Sequence, residues 1–152
     1  MPSTFLYGAN IHANGIRQHY LRYGGQGQPL VLVPGITSPA PTWSFVAERL
    51  GAHYDVYLMD VRGRGLSESH DDLDYGRDAC AADVGAFIEA MGLTDVVYLG
   101  HSMGARIGFL VGHRFSQGIS SLILVDPPMA GPGRPPYPAS LDWYIEIGRA
   151  HV

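Results

Sequence analysis

The chain has 152 residues, a formal net charge of -4 and one cysteine, Cys80. Folded as one domain, a chain of this length buries about 70% of its unfolded surface, enough for a single core. Its Lys and Arg residues are scattered, which excludes the basic stripe of a nucleic-acid surface. One cysteine excludes an intrachain disulfide and suits a reducing compartment. The apolar runs are of strand length, and residues 1–15 lack the basic-then-apolar order of a signal peptide. The expectation is a soluble, cytoplasmic protein with no membrane partner.

Phe5 to Asn10 and Ile16 to Tyr23 flank Asn14-Gly15, a dipeptide suited to the positive φ angles of a tight hairpin turn. Pro29 to Val33 is a short, continuous apolar run ending at Pro34-Gly35, and Val56 to Met59 and Val96 to Leu99 repeat the form. Runs of this kind predict strands buried on both faces. Helical spacing lies between and after them: Trp43, Val46 and Leu50; Val84, Phe87, Ile88 and Met91; then Ile107, Leu110 and Val111. Thr42 is placed to cap the first helix, and Gly51 and Gly92 to end the first two. Leu122 to Val125 predicts one more buried strand. Strand–helix alternation after a hairpin predicts an α/β fold, with a mostly parallel sheet and helices on both faces.

The strongest chemical signal is Gly100-His101-Ser102-Met103-Gly104, between the run VVYL and a helical pattern. A sharp strand-to-helix turn forces its serine into a strained conformation, and the glycines let neighbouring backbone approach. Ser102 would then stand at a helix N-terminus, where free N–H groups and the helix dipole favour a developing oxyanion. The bland alternative is a serine that only caps the helix. A second N–H is needed from the loop after an earlier strand, and Pro34 to Ser38 occupies that place; Ile36 and Met103 are the expected backbone donors. The stretch Asp60 to Ser67 (DVRGRGLS) reads as structural, with Asp60 and Arg62 ordering the loop.

A triad needs an acid and then a histidine, in that chain order after the serine. Asp126 ends the strand that follows the elbow helix and is the expected acid, a hydrogen-bonded turn before Pro127-Pro128 being the alternative. His12, His19, His53, His70, His101 and His113 all precede it, and only His151 follows. His101 abuts Ser102 but points the other way at an elbow, so it makes a poor general base. Six of the eleven prolines fall between Pro127 and Pro138, so the chain is expected to leave the sheet there. This divides it into residues 1–126, the N-terminal part of a hydrolase core; 127–146, the start of a cap segment; and 147–152. The last stretch, IGRAHV, fits neither a cap nor a strand, and one choice of codons for it resembles a sequencing adapter, so it reads as a non-native tail, with an ordinary helix end as the alternative. The fold is then expected to lack its last strands and the catalytic histidine.

On the motifs GHSMG, DVRGRGLS, VPGITSP (Val33 to Pro39) and the DPP and GPGR stretches at Asp126 and Gly131, the chain resembles the α/β-hydrolase superfamily. Within it, the chain resembles the N-formylmaleamate deformylases of nicotinate degradation. The resemblance runs from Phe5 to Tyr144. It implies hydrolysis of a formyl amide to maleamate and formate, with no metal or cofactor and with Ser102 attacking the formyl carbon. It also implies a small-molecule carboxylate as substrate, which an arginine would pair. Arg134 and Arg106 are the candidates, with solvent exposure or a helix-face ion pair as the alternative for each. Two rivals remain: a related esterase or carbon–carbon bond hydrolase with the same elbow, and a non-catalytic protein on a hydrolase core.

Overall fold

In a computed structural model of the chain, which describes residues 2–128, the Asn14-Gly15 pair turns a hairpin. Both residues have positive φ, and β1 (Phe5–Ala13) pairs antiparallel with β2 (Ile16–Tyr23), Ala13 opposite Ile16. Four further strands follow: β3 (Gln28–Val33), β4 (Tyr54–Met59), β5 (Val96–His101) and β6 (Ile119–Val125). The sheet order is β1-β2-β4-β3-β5-β6. The strands from β4 to β6 run parallel, while the hairpin joins antiparallel through β2 and β4. The mostly parallel α/β sheet expected from the sequence is therefore present.

Side chains of the central strands alternate between two buried faces, as period-2 geometry requires. Val31, Val33, Tyr57, Met59, Val96 and Tyr98 face a layer built by α2 (Arg77–Ala90) and α3 (Met103–Arg114), with Phe87, Ile107 and Val111 at its centre. Leu30, Leu32, Val56, Leu58 and Val97 face α1 (Ser44–Leu50) through Ala47. A continuous apolar run is thus what a strand with two covered faces needs. The strand expected at Leu122 to Val125 forms but is not buried: β6 is the edge strand of the described sheet and leaves Leu122, Ile123 and Val125 exposed.

The three capping expectations resolve differently. Thr42 does not cap α1: it lies in a 3-10 turn, Ala40–Trp43, and its hydroxyl donates to the Pro39 carbonyl at 2.7 Å. Pro39 and Pro41 favour that tight turn, so α1 starts one residue beyond Thr42's reach. Gly51 does end α1, its N–H donating to Ala47 O, and Gly92 follows the last residue of the α2 cap.

Arg62 and Asp83 make the buried tie between the loop after β4 and α2. The guanidinium donates through Nε to Asp83 Oδ2 (2.6 Å) and through Nη2 to Oδ1 (2.5 Å), while Nη1 donates to Asp74 O (2.7 Å). Asp83 also accepts from Asn14 Nδ2 at the hairpin turn, at 2.8 Å. The Asp83 carboxylate holds the Arg62 guanidinium firmly in its charged form. Removing it strands a buried cation, so Asp83→Ala is expected to cost about 3–5 kcal/mol, read as a lower midpoint in urea at unchanged slope.

Candidate active site

Three loops meet at the C-terminal ends of β4, β3 and β5 because those strands are neighbours in the sheet. That edge is where ligands bind in open α/β sheets. The sharpest feature there is Ser102, at φ 51 and ψ -110, between the last residue of β5 and the first of α3. A non-glycine residue in that conformation carries about 1–3 kcal/mol of strain and persists only where its surroundings enforce it. Here the restraints are identifiable. The Ser102 N–H donates to Val125 O (2.9 Å), and Ser102 O accepts from Arg106 N (3.2 Å) as the first bond of α3.

The glycines of the motif are required by close approach. A Cβ on Gly100 would overlap Gly104 O, and one on Gly104 would overlap the Val33 carbonyl oxygen of β3. Helix α3 thus rests directly on the end of the central strand. Tyr98 fastens it there, its buried hydroxyl donating to Gly104 O at 2.6 Å. Burial pushes the Tyr98 phenol well above its usual range, so it stays a donor. Ser102 stands at the N-cap position, yet its hydroxyl makes no capping bond. This removes the reading of Ser102 as a mere cap.

The loop after β3 lies against the elbow: a Cβ built on Gly35 would come within 3.5 Å of Ser102 Cβ. Gly35 O accepts from Ser38 N at 3.2 Å. Gly35 C=O and Ile36 N–H belong to one planar peptide and point in opposite directions, so the Ile36 N–H points away from this bond. Neither it nor the Met103 N–H donates to a carbonyl or side chain among the described residues. Both amides are free to serve an anion, Met103 at the positive end of α3.

Asp126 directly follows Val125, which pairs with His101 in the parallel register of β5 and β6. Ser102 and Asp126 are therefore the first residues beyond the sheet on adjacent strands, about 4.8 Å apart in strand spacing. Asp126 is exposed and has φ 49. His101 packs its ring on Trp43, centroids 4.9 Å apart, and its buried Nδ1 has no hydrogen-bond partner among the described residues. Arg106 is half-buried on α3, and its side chain makes no ion pair with a described residue. Arg134 and His151, with most of the expected cap segment and the whole tail, lie outside the described residues.

Asp60 and Arg62 order their loop, as the sequence suggested. The Asp60 carboxylate, 2% exposed, accepts from Ala40 N (2.6 Å), from Leu66 N (3.1 Å) and, as a close pair, from His19 Nδ1 (2.7 Å). Sequence reasoning missed the residue between that loop's two glycines. Arg64 Nε donates to Ile36 O at 3.0 Å, and its Nη2 lies 3.6 Å from Met103 Sδ. The signal was an arginine between glycines at the C-terminal end of a central strand.

A parallel sheet whose strand runs into a strained serine elbow beneath a second amide-bearing loop defines the α/β-hydrolase arrangement. The chain belongs to that family: the alpha/beta hydrolase fold matches residues 28–146. Within it, the chain is 62% identical over 144 residues to N-formylmaleamate deformylase of Pseudomonas putida, covering 95% of this chain and 54% of that protein. The crystal structure of a serine-to-alanine variant of N-formylmaleamic acid deformylase from Pseudomonas putida S16 superposes with a TM-score of 0.84 at 58% identity, covering 94% of this chain and 56% of that one. A more distant relative is 2-hydroxy-6-oxo-2,4-heptadienoate hydrolase of Pseudomonas putida, 30% identical over 78% of this chain and 44% of that protein. The chain thus spans about half the length of the relatives it matches. Among the described residues no helix is long and apolar enough to cross a membrane.

Proposed function

We propose that this chain carries the nucleophile, the oxyanion hole and the triad acid of a cytoplasmic hydrolase that cleaves the formyl amide of N-formylmaleamate, giving maleamate and formate. The observation that carries this reading is the strained, uncapped Ser102 beside two unpaired amides; the similarity to the deformylases narrows the substrate to a small formamide bearing a carboxylate. No metal or cofactor enters the scheme.

Ser102 Oγ attacks the formyl carbon, and its proton passes to a histidine that Asp126 orients. The carbonyl oxygen becomes an oxyanion held by Ile36 N–H and Met103 N–H. The C–N bond then breaks, and the histidine returns the proton to the leaving amide nitrogen. Water, deprotonated by the same histidine, attacks the formyl-serine ester; the bond from the formyl carbon to Ser102 Oγ breaks, the histidine returns the proton to Ser102 Oγ, and formate leaves. None of the histidines among residues 2–128 hydrogen-bonds to Ser102, so those residues alone are expected to turn over no substrate. Arg106 and Arg134 are carried forward as candidates for the substrate carboxylate.

The test is product analysis on the full-length protein. Incubation with N-formylmaleamate is expected to release formate and maleamate in equal amounts, faster than the protein hydrolyses p-nitrophenyl acetate. Preference for the simple ester, or for a vinylogous 1,5-diketone, would favour the second reading, an esterase or carbon–carbon bond hydrolase. That reading is motivated by the similarity to the heptadienoate hydrolase. No turnover of any of the three would leave a binding protein on a hydrolase core.

A further inference from the structure

We propose that Arg64 is a positioning residue for the oxyanion hole, tying the loop that carries Ile36 to the elbow that carries Met103. The proposal rests on the hydrolase reading above and adds a residue to it.

The loop from Asp60 to Ser67 is built to aim this side chain. Its base is fixed: Asp60 accepts three hydrogen bonds through its carboxylate, and Ser67 Oγ donates to Asp60 O at 2.6 Å. Arg62 is drawn down into the protein by Asp83, away from the sheet edge. Arg64 sits between Gly63 at φ 75 and Gly65 at φ 54, where a Cβ on Gly65 would overlap the Asp60 carboxylate. Two left-handed residues around one arginine make a tight crest, and the crest points its side chain across to the neighbouring strand's loop.

There the guanidinium makes a fork. Nη1 donates back to Arg62 O at 2.8 Å, which fixes the group to its own loop, and Nε donates to Ile36 O at 3.0 Å. Ile36 is 48% exposed, so side-chain packing does little to hold it. The peptide before it is held by Ser38 N on Gly35 O, and the peptide after it by Arg64. With both planes flanking its Cα restrained, the Ile36 N–H has a fixed direction. The third nitrogen, beside Met103 Sδ, borders the residue that supplies the other donor. A planar guanidinium can span these three points at once, whereas an ammonium supplies one point of charge.

The experiment compares Arg64→Gln and Arg64→Lys in the full-length protein, using N-formylmaleamate and an uncharged formamide of similar size. If Arg64 positions the oxyanion donor, kcat falls about 10- to 100-fold for both substrates in both variants, less than loss of a donor outright. KM then stays within about threefold, the melting temperature is unchanged, and hydrogen exchange at the Ile36 amide accelerates. Unchanged kcat overturns the proposal. So does a KM increase confined to the charged substrate and reversed by lysine, which would make Arg64 a carboxylate anchor. A fall in melting temperature that parallels the loss of activity overturns it as well, leaving a general structural role. Failure of the hydrolase reading is seen separately: the unsubstituted protein would then hydrolyse neither formamide, and the inference would fall with it.

Discussion

Replacing Ser102 with alanine is expected to lower kcat of the full-length protein by roughly 10⁴- to 10⁶-fold and to leave its melting temperature where it was. The two halves of that statement have separate physical grounds. Activity falls because the attacking oxygen is gone, and what remains is stabilisation of the oxyanion by two amides without a covalent intermediate. Stability is retained because the hydroxyl caps nothing: Ser102, at the N-cap position of α3, makes no side-chain bond to the helix's first turn. Alanine also inherits the strained φ of 51, so no strain is relieved. Ser102→Gly is the informative companion. Glycine accepts that region freely, recovering about 1 kcal/mol or more of strain against its greater entropy in the unfolded chain. A protein that becomes no less stable when its nucleophile is deleted would show that the elbow is held for chemistry. If Ser102→Ala kept activity within about tenfold, the nucleophile assignment would be wrong.

Much of this geometry was legible in the sequence, for definable reasons. The continuous apolar runs at Pro29 to Val33 and Val56 to Met59 predict strands covered on both faces, and they are. Asn14-Gly15 specified its turn, because two successive positive φ angles suit few other pairs. The elbow was legible because its glycines answer to backbone contacts that leave no room for any other side chain. What escaped was set by tertiary contacts. Thr42 looks like a helix cap by composition, but the two prolines just before it, Pro39 and Pro41, make a tighter turn and move the helix start. Strand ends were also underestimated: β5 runs on through Gly100 and His101, since pairing with β3 and β6 continues to the elbow. Arg64 was hidden for a different reason. The motif DVRGRGLS announces a loop, and nothing in its spacing says which arginine is drawn inward and which reaches across to the next loop. Strand order decides that, because β4 lies beside β3, and strand order is not written in a local pattern.

The second large effect is expected at Gly104. Gly104→Ala should cost about 4 kcal/mol or more, placing it in the small class of substitutions that threaten the fold outright. The added Cβ would overlap the carbonyl oxygen of Val33 and stand 2.8 Å from that of Pro34. Neither can yield cheaply, because β3 lies between β4 and β5 and is hydrogen-bonded on both sides. The helix must lift instead, against the bond from Tyr98 Oη to Gly104 O. Gly112 in the same helix supplies the control. A Cβ there would meet Leu122 Cδ1 at 2.5 Å, the end of a flexible side chain on the exposed edge strand. Alanine at 112 also gains about 1 kcal/mol of helix propensity, so Gly112→Ala should be close to neutral. Urea unfolding of the two variants in the full-length protein checks the contrast, and a Gly104→Ala loss below about 1 kcal/mol would sink it. Any Gly104→Ala protein that does fold should still be catalytically poor. Lifting the start of α3 carries the Met103 N–H away from the Ile36 loop, so the contact that seats the helix also sets the spacing of the oxyanion hole.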